Sequence, residues 1–136
     1  MSATSASPSP SPEAPAVEYW PARRLETMRP DWPNNRGRFI IPNHPQGWNN
    51  FALSEWELES CAWEDFHPHD ETNLVISGEL HIQADGKTVV LHPGDAARVK
   101  AGRVGRYWAP TYAKMVAIYG PNPVGMDSHS FKYWDL

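Results

Sequence analysis

The chain has 136 residues, 40% of them hydrophobic, with seven tryptophans, which is material for one folded domain with a real core. A formal net charge of −4 leaves no basic footprint for nucleic acid, and no apolar run reaches the roughly 18 residues a membrane-spanning helix needs. The single cysteine, Cys61, excludes an intramolecular disulfide and a cysteine-rich metal cluster; with no signal-peptide pattern at the start, the expected location is the cytoplasm.

Residues 1–16 alternate Ser and Pro with almost nothing to bury, so they are expected to form a disordered, solvated tail. Residues 17–47 carry Pro21, Pro30, Pro33, Pro42 and Pro45, which forbid long regular elements, together with apolar residues such as Tyr19, Trp20, Trp32 and Phe39. They predict an irregular arm lying across the folded domain or a partner subunit, with one short strand at Arg38–Ile41 and a helical turn around Ala22–Met28. From Trp48 to Leu136 the pattern is β. Strands are expected within Phe51–Trp63, at Glu71–Ile76, Leu80–Ala84 and Lys87–Leu91, and then at Ala96–Lys100, Arg106–Ala109 and Lys114–Tyr119. Asp85-Gly86 between two of them is a strong short-range hairpin signal. Short strands separated by turns about every ten residues, without internal repeat, predict an all-β sandwich or closed barrel.

The segment Asp65-Phe66-His67-Pro68-His69-Asp70-Glu71-Thr72-Asn73 is the unusual one. Alternation puts Asp65, His67, His69, Glu71 and Asn73 on one face. A row of polar side chains is costly to bury without partners, so it faces either solvent or a wet cavity. Imidazole and carboxylate are also ligands for divalent transition metals such as Zn, Fe, Mn or Ni. Same-face neighbours stand about 6.6 Å apart along a strand, so His67 and His69 can converge on one ion, while Glu71 needs a bend, which Pro68 or a bulge would supply. The metal set read from the residues is His67, His69 and Glu71, with Asp65 in reserve. A hydrogen-bonded histidine pair at a strand end is the competing reading. Cys61, in an apolar strand, reads as a buried inert thiol, and His81, His92 and His129 read as surface, turn and tail residues.

Several of these features resemble the cupin family, whose first motif is G-x5-H-x-H-x(3–4)-E-x6-G and whose second is G-x5-P-x-G-x2-H-x3-N. Glu71 to Gly78 fits the end of the first motif, His67 stands where the family's second His belongs, and Gly94 and Gly102 fit the second. The likeness covers about residues 51–119 and implies a single cupin jelly-roll barrel. The family's first His falls on Asp65, its Pro on Lys100, its last His on Gly105 and its Asn on Ala109. Loss of that last His resembles the small, metal-poor branch related to ethanolamine-utilisation proteins, in which an aromatic residue follows the Gly and a Lys begins the last strand, as Tyr107 or Trp108 and Lys114 do here. The resemblance also implies a small-molecule ligand in the barrel mouth and a homodimer, with the arm crossing the interface.

The expected roles are Glu71 and His67 as catalytic groups, with Trp56, Trp63, Asn73, Tyr107 and Arg98 contacting substrate. Three classes of function follow. One is a metal-assisted isomerase, cyclase, lyase or oxygenase acting on a small polar metabolite. The second is a metal-free ligand-binding or sensing module, and the third an accessory barrel that holds a partner through its arm.

Overall fold

The computed structural model describes residues 15–136, so the tail expected over residues 1–16 lies almost entirely outside them. All regular structure among these residues is β. In chain order the strands are β1 (Glu26–Thr27), β2 (Asn35–Ile41), β3 (Ala52–His67), β4 (Glu71–Gly78), β5 (Leu80–Ala84), β6 (Lys87–Leu91), β7 (Ala96–Val99), β8 (Arg103–Tyr119) and β9 (His129–Asp135). They form one antiparallel sheet. The helical turn expected around Ala22–Met28 is not formed; Glu26 and Thr27 pair instead with Gly37 and Arg36 of β2.

Two long strands organise the sheet. β3 pairs with β8 from Ala52–Tyr119 at one end to His67–Arg103 at the other, and β4 pairs with β8 on its opposite side, beginning at Glu71–Tyr119. Laid flat, the two ends of β8 would lie roughly 50 Å apart. The chain nevertheless passes from His67 to Glu71 in a few residues, a reach of at most about 14 Å. The β3–β8 ribbon must therefore curl back on itself, and in doing so it closes the sheet into a barrel. The curl coincides with a register shift between Glu59 and Cys61, where Ser60 adopts φ 47°.

That shift also decides which residues face inward. Before it, Ala52, Ser54, Trp56 and Leu58 are buried; after it, Cys61, Asp65 and His67 are. One extra residue in a strand of period two exchanges its faces. Without the bulge, Asp65 and His67 would point outward.

The remaining elements follow local chemistry. Asp85 and Gly86 both have positive φ, 50° and 77°, the geometry of a two-residue hairpin turn matching strand twist, and they join β5 to β6 with Ala84 opposite Lys87. The edge of β3 away from β8 is covered in two halves: β2 runs beside Leu53–Leu58 and β9 beside Cys61–Phe66. A core of Trp56, Leu58, Val75, Leu80, Ile82 and Met115 fills one part of the barrel. The polar row occupies the rest.

Candidate functional site

All five members of the row face the interior: Asp65, His67, His69, Glu71 and Asn73 are each at least 93% buried. They arrive from two strands and the connection between them. Asp65 and His67 end β3, Glu71 and Asn73 begin β4, and His69 sits in the link.

His67 is committed to the protein at both nitrogens. Nδ1 lies 2.8 Å from the carbonyl oxygen of His69, and Nε2 lies 3.1 Å from the Tyr107 hydroxyl. A carbonyl accepts only, so Nδ1 carries the proton; in the neutral ring Nε2 then accepts from Tyr107. Trp56 Nε1 donates to Asn73 Oδ1 at 2.9 Å, and Asn73 Nδ2 donates to Glu71 Oε2 at 3.0 Å. His69 Nδ1 lies 3.1 Å from the carbonyl oxygen of Asp70, which fixes its tautomer and leaves Nε2 with the lone pair. Burial holds the His69 pKa below its ordinary value, so the ring favours the neutral form.

The row backs onto a cavity of about 270 Å³. Trp32, Trp56, Trp63 and Phe131 supply apolar wall, and Asp65, His69 and Glu71 supply the chemistry. His67, Asn73 and Tyr107 do not reach the cavity surface; they stand behind it and orient the groups that do. Trp63 stacks on Tyr107 with ring centroids 4.9 Å apart. Among the described residues, three buried side-chain polar atoms have no hydrogen-bond partner: Asn35 Oδ1, Trp63 Nε1 and Asp65 Oδ1. All three residues line this cavity. Each such atom costs about 1–3 kcal/mol when left unmatched, a cost that a bound molecule removes.

Burial pushes the Asp65 carboxyl up to about 8, helped by the neighbouring Glu71 charge and opposed by Arg29. Glu71 is raised as well, again by burial, against the opposing influence of His67, Asn73 and Tyr107. Burial disfavours ionisation of both carboxyls and the Glu71 charge adds to the effect on Asp65, so Asp65 holds its proton at neutral pH. The Tyr107 and Tyr119 phenols are pushed well above their ordinary value by burial and remain neutral.

A family model described as the cupin domain matches residues 57–119. The barrel has the cupin fold. Solved structures agree on the fold. The EutQ protein of Clostridium difficile is 18% identical, with a TM-score of 0.59 over 73% of this chain and 81% of that one. KdgF from a Halomonas species is 16% identical, with a TM-score of 0.59 over 73% and 88%. Ectoine synthase from P. lautus is 19% identical, with a TM-score of 0.55 over 65% and 64%. At these identities the likeness is one of fold. No curated protein matches the chain.

Set in the cupin frame, Gly105 takes on a physical meaning. A Cβ built there would come within 2.6 Å of the Tyr107 hydroxyl. The place where the family's last His would begin is thus filled by a phenol bonded to His67. Among the described residues, no group of three His, Cys, Asp or Glu side chains is arranged to hold a metal ion. The expected set of His67, His69, Glu71 and Asp65 does not fit a metal, because His67 has no nitrogen to offer while Tyr107 and His69 hold it.

Arg98, expected to contact substrate, is an exposed residue of β7, and its guanidinium donates to Thr72 Oγ1 at 2.8 Å. It points away from the cavity because it alternates with the buried Val99. Cys61 is buried, donates to the Asn34 carbonyl oxygen, and has its pKa raised by burial. His81 and His92 both bond Glu79 near the surface.

Sequence reasoning missed Arg29, Asn35 and Phe131, which line the cavity from the arm and the C-terminal strand. The aromatic content of both segments was the available signal. Nothing local told which of their residues line the barrel mouth.

Proposed function

We propose that this cupin is a proton-transfer enzyme, of the isomerase, cyclase or lyase kind, acting on a small polar metabolite held in the barrel cavity. The observation that carries this reading is that the buried Asp65 and Glu71 carboxyls share one largely aromatic cavity wall. A general acid works best with a pKa near the operating pH, and burial brings Asp65 there. Asp65 gives a proton to the substrate, while Glu71 or Nε2 of the neutral His69 takes one. His67, fixed between the His69 carbonyl and Tyr107, holds the link in which His69 sits. That ectoine synthase and KdgF share the fold is compatible with catalysis and assigns no reaction. A divalent metal is not part of this reading, since His67 is held at both nitrogens by the His69 carbonyl and Tyr107.

The test is exchange of carbon-bound protons in deuterium oxide. A pool of small polar metabolites is incubated with the full chain in EDTA and followed by NMR. At least one member should take up deuterium, and Asp65→Asn and Glu71→Gln should each slow that exchange by 100-fold or more. A ligand that binds without any exchange or turnover would turn the assignment to the metal-free binding module. Exchange that EDTA abolishes and zinc, iron, manganese or nickel restores would turn it to a metal enzyme.

We also propose that the protein is a cytoplasmic homodimer. Leu74, Ile76 and Ile118 are exposed on the outer face of the β4–β8 pairing, and a contiguous apolar face of this kind suits self-association. The buried thiol of Cys61 is in keeping with a reducing compartment. Among the described residues no helix is long and apolar enough to cross a membrane.

A further inference from the structure

The cavity carries a readable pattern of unmet polar demand, which deepens the reading just given and rests on it for the location of the site. Asp65 Oδ1 and Asn35 Oδ1 are buried acceptors without a donor, and Trp63 Nε1–H is a buried donor without an acceptor. Asn35 and Asp65 are 97% and 96% buried, so water in bulk does not satisfy them. The same cavity is lined by Arg29. Its guanidinium sits 4.1 Å from the Phe131 ring centroid and 4.9 Å from that of Trp32, and among the described residues it has no carboxylate within salt-bridge distance. Aromatic faces hold a guanidinium in place without using its N–H donors.

We infer that the ligand is a small zwitterion: an ammonium group directed to Asp65 and Asn35, and a carboxylate received by Trp63 Nε1–H and the Arg29 guanidinium. A simple amine would leave the indole donor unmatched and place a second cation near Arg29. A simple carboxylate would leave both buried acceptors unmatched and meet the Asp65–Glu71 pair with like charge. An amino acid satisfies each of these atoms with one of its own. A volume of about 270 Å³, roughly nine water molecules at their share of liquid volume, limits it to a compact molecule. The aromatic walls suit the methylene groups between its two ends.

The experiment is isothermal titration of the full chain in EDTA with glycine, β-alanine, 4-aminobutanoate and 5-aminopentanoate, against butylamine and butanoate. At least one zwitterion should bind tenfold or more tighter than either single-ended probe. Arg29→Met should bring that zwitterion to the level of butylamine while leaving butylamine binding no weaker, because Arg29 attracts only the carboxylate and repels the amine. Asn35→Leu should weaken butylamine and the zwitterion together, leaving butanoate where it was. Butanoate binding as tightly as the best zwitterion, an Arg29→Met chain with unaltered selectivity, or no zwitterion binding at all would each overturn the inference. The two readings fail separately. Zwitterion binding without proton exchange sinks the catalytic assignment alone, and Asp65-dependent exchange on a metabolite lacking an amine or a carboxylate sinks the zwitterion alone.

Discussion

Tyr107 and Gly105 form a matched pair, and the match explains why this barrel departs from the cupin motif at that point. The hydroxyl of Tyr107 lies where a side chain at position 105 would begin and closes the second nitrogen of His67. Gly105→Ala should therefore destabilise the protein by about 1–3 kcal/mol through overpacking. In a Tyr107→Phe background the penalty should shrink, because the nearest clashing atom is gone, although ring carbons at 3.0 Å keep part of it. A double-mutant cycle by chemical denaturation measures the coupling. Asp65 gives a prediction with a definite sign. Its folded pKa of about 8 lies above its unfolded value near 3.8, so the folded state binds the proton more tightly. The stability this confers is complete below about pH 4 and is lost as pH rises through about 8. Asp65→Asn should remove that decline and stabilise the empty protein at pH 8 by on the order of 1–3 kcal/mol. Thermal melts of both chains at pH 5 and pH 8.5 check it. That the row from Asp65 to Asn73 shares a face was legible in the sequence, because alternation is a local property. That His67 would meet Tyr107 was not, since forty residues and four strands separate them in the chain.

At the scale of elements, the turn chemistry was the legible part. Asp85-Gly86 needs two left-handed residues, the chain supplies them, and the β5–β6 hairpin stands where the dipeptide placed it. The bulge at Ser60 was not legible, because an extra residue shows only in the pairing of β3 with β8. Its consequence is large: it turns Asp65 and His67 inward. Deleting Ser60 puts Asp65 and His67 in unbroken alternation with Leu58, which keeps them inward, but it removes the residue at which β3 bends opposite Pro110 and Thr111 and should abolish cooperative unfolding. Ser60→Gly, which suits φ 47° but loses the hydroxyl contact to the Pro110 carbonyl oxygen, should stay within about 1 kcal/mol of the parent. Near-ultraviolet circular dichroism and denaturation of the two variants separate these outcomes. Strand β9 escaped the sequence reading for a related reason. Its residues are mostly exposed or half-buried, so no hydrophobic alternation announces it, and its partner Cys61–Phe66 lies far away in sequence.

For the molecule as a whole, the core of a barrel is built by local strands, while its cavity is completed by distant ends. Arg29, Trp32 and Asn35 come from the arm and Phe131 from the C-terminal strand, and together they roof the polar row. The all-β barrel was legible because its strands and turns repeat short patterns. The roof was not, because packing of irregular segments leaves no period to read. The exposed Leu74, Ile76 and Ile118 belong to this scale too. Light scattering at micromolar concentration should give twice the chain mass, and Ile76→Lys should halve it without loss of fold; a monomeric parent chain would remove the dimer from the account. The central claim is that the carboxyl row looks into the barrel cavity, where burial makes Asp65 a proton donor near neutral pH. Carbon-13 NMR titration of the Asp65 side-chain carboxyl in the full chain tests that claim directly. A midpoint near pH 8, as burial beside Glu71 dictates, is the predicted result. A midpoint near the ordinary aspartate value of about 4 would show a carboxylate in contact with bulk water and would contradict the site.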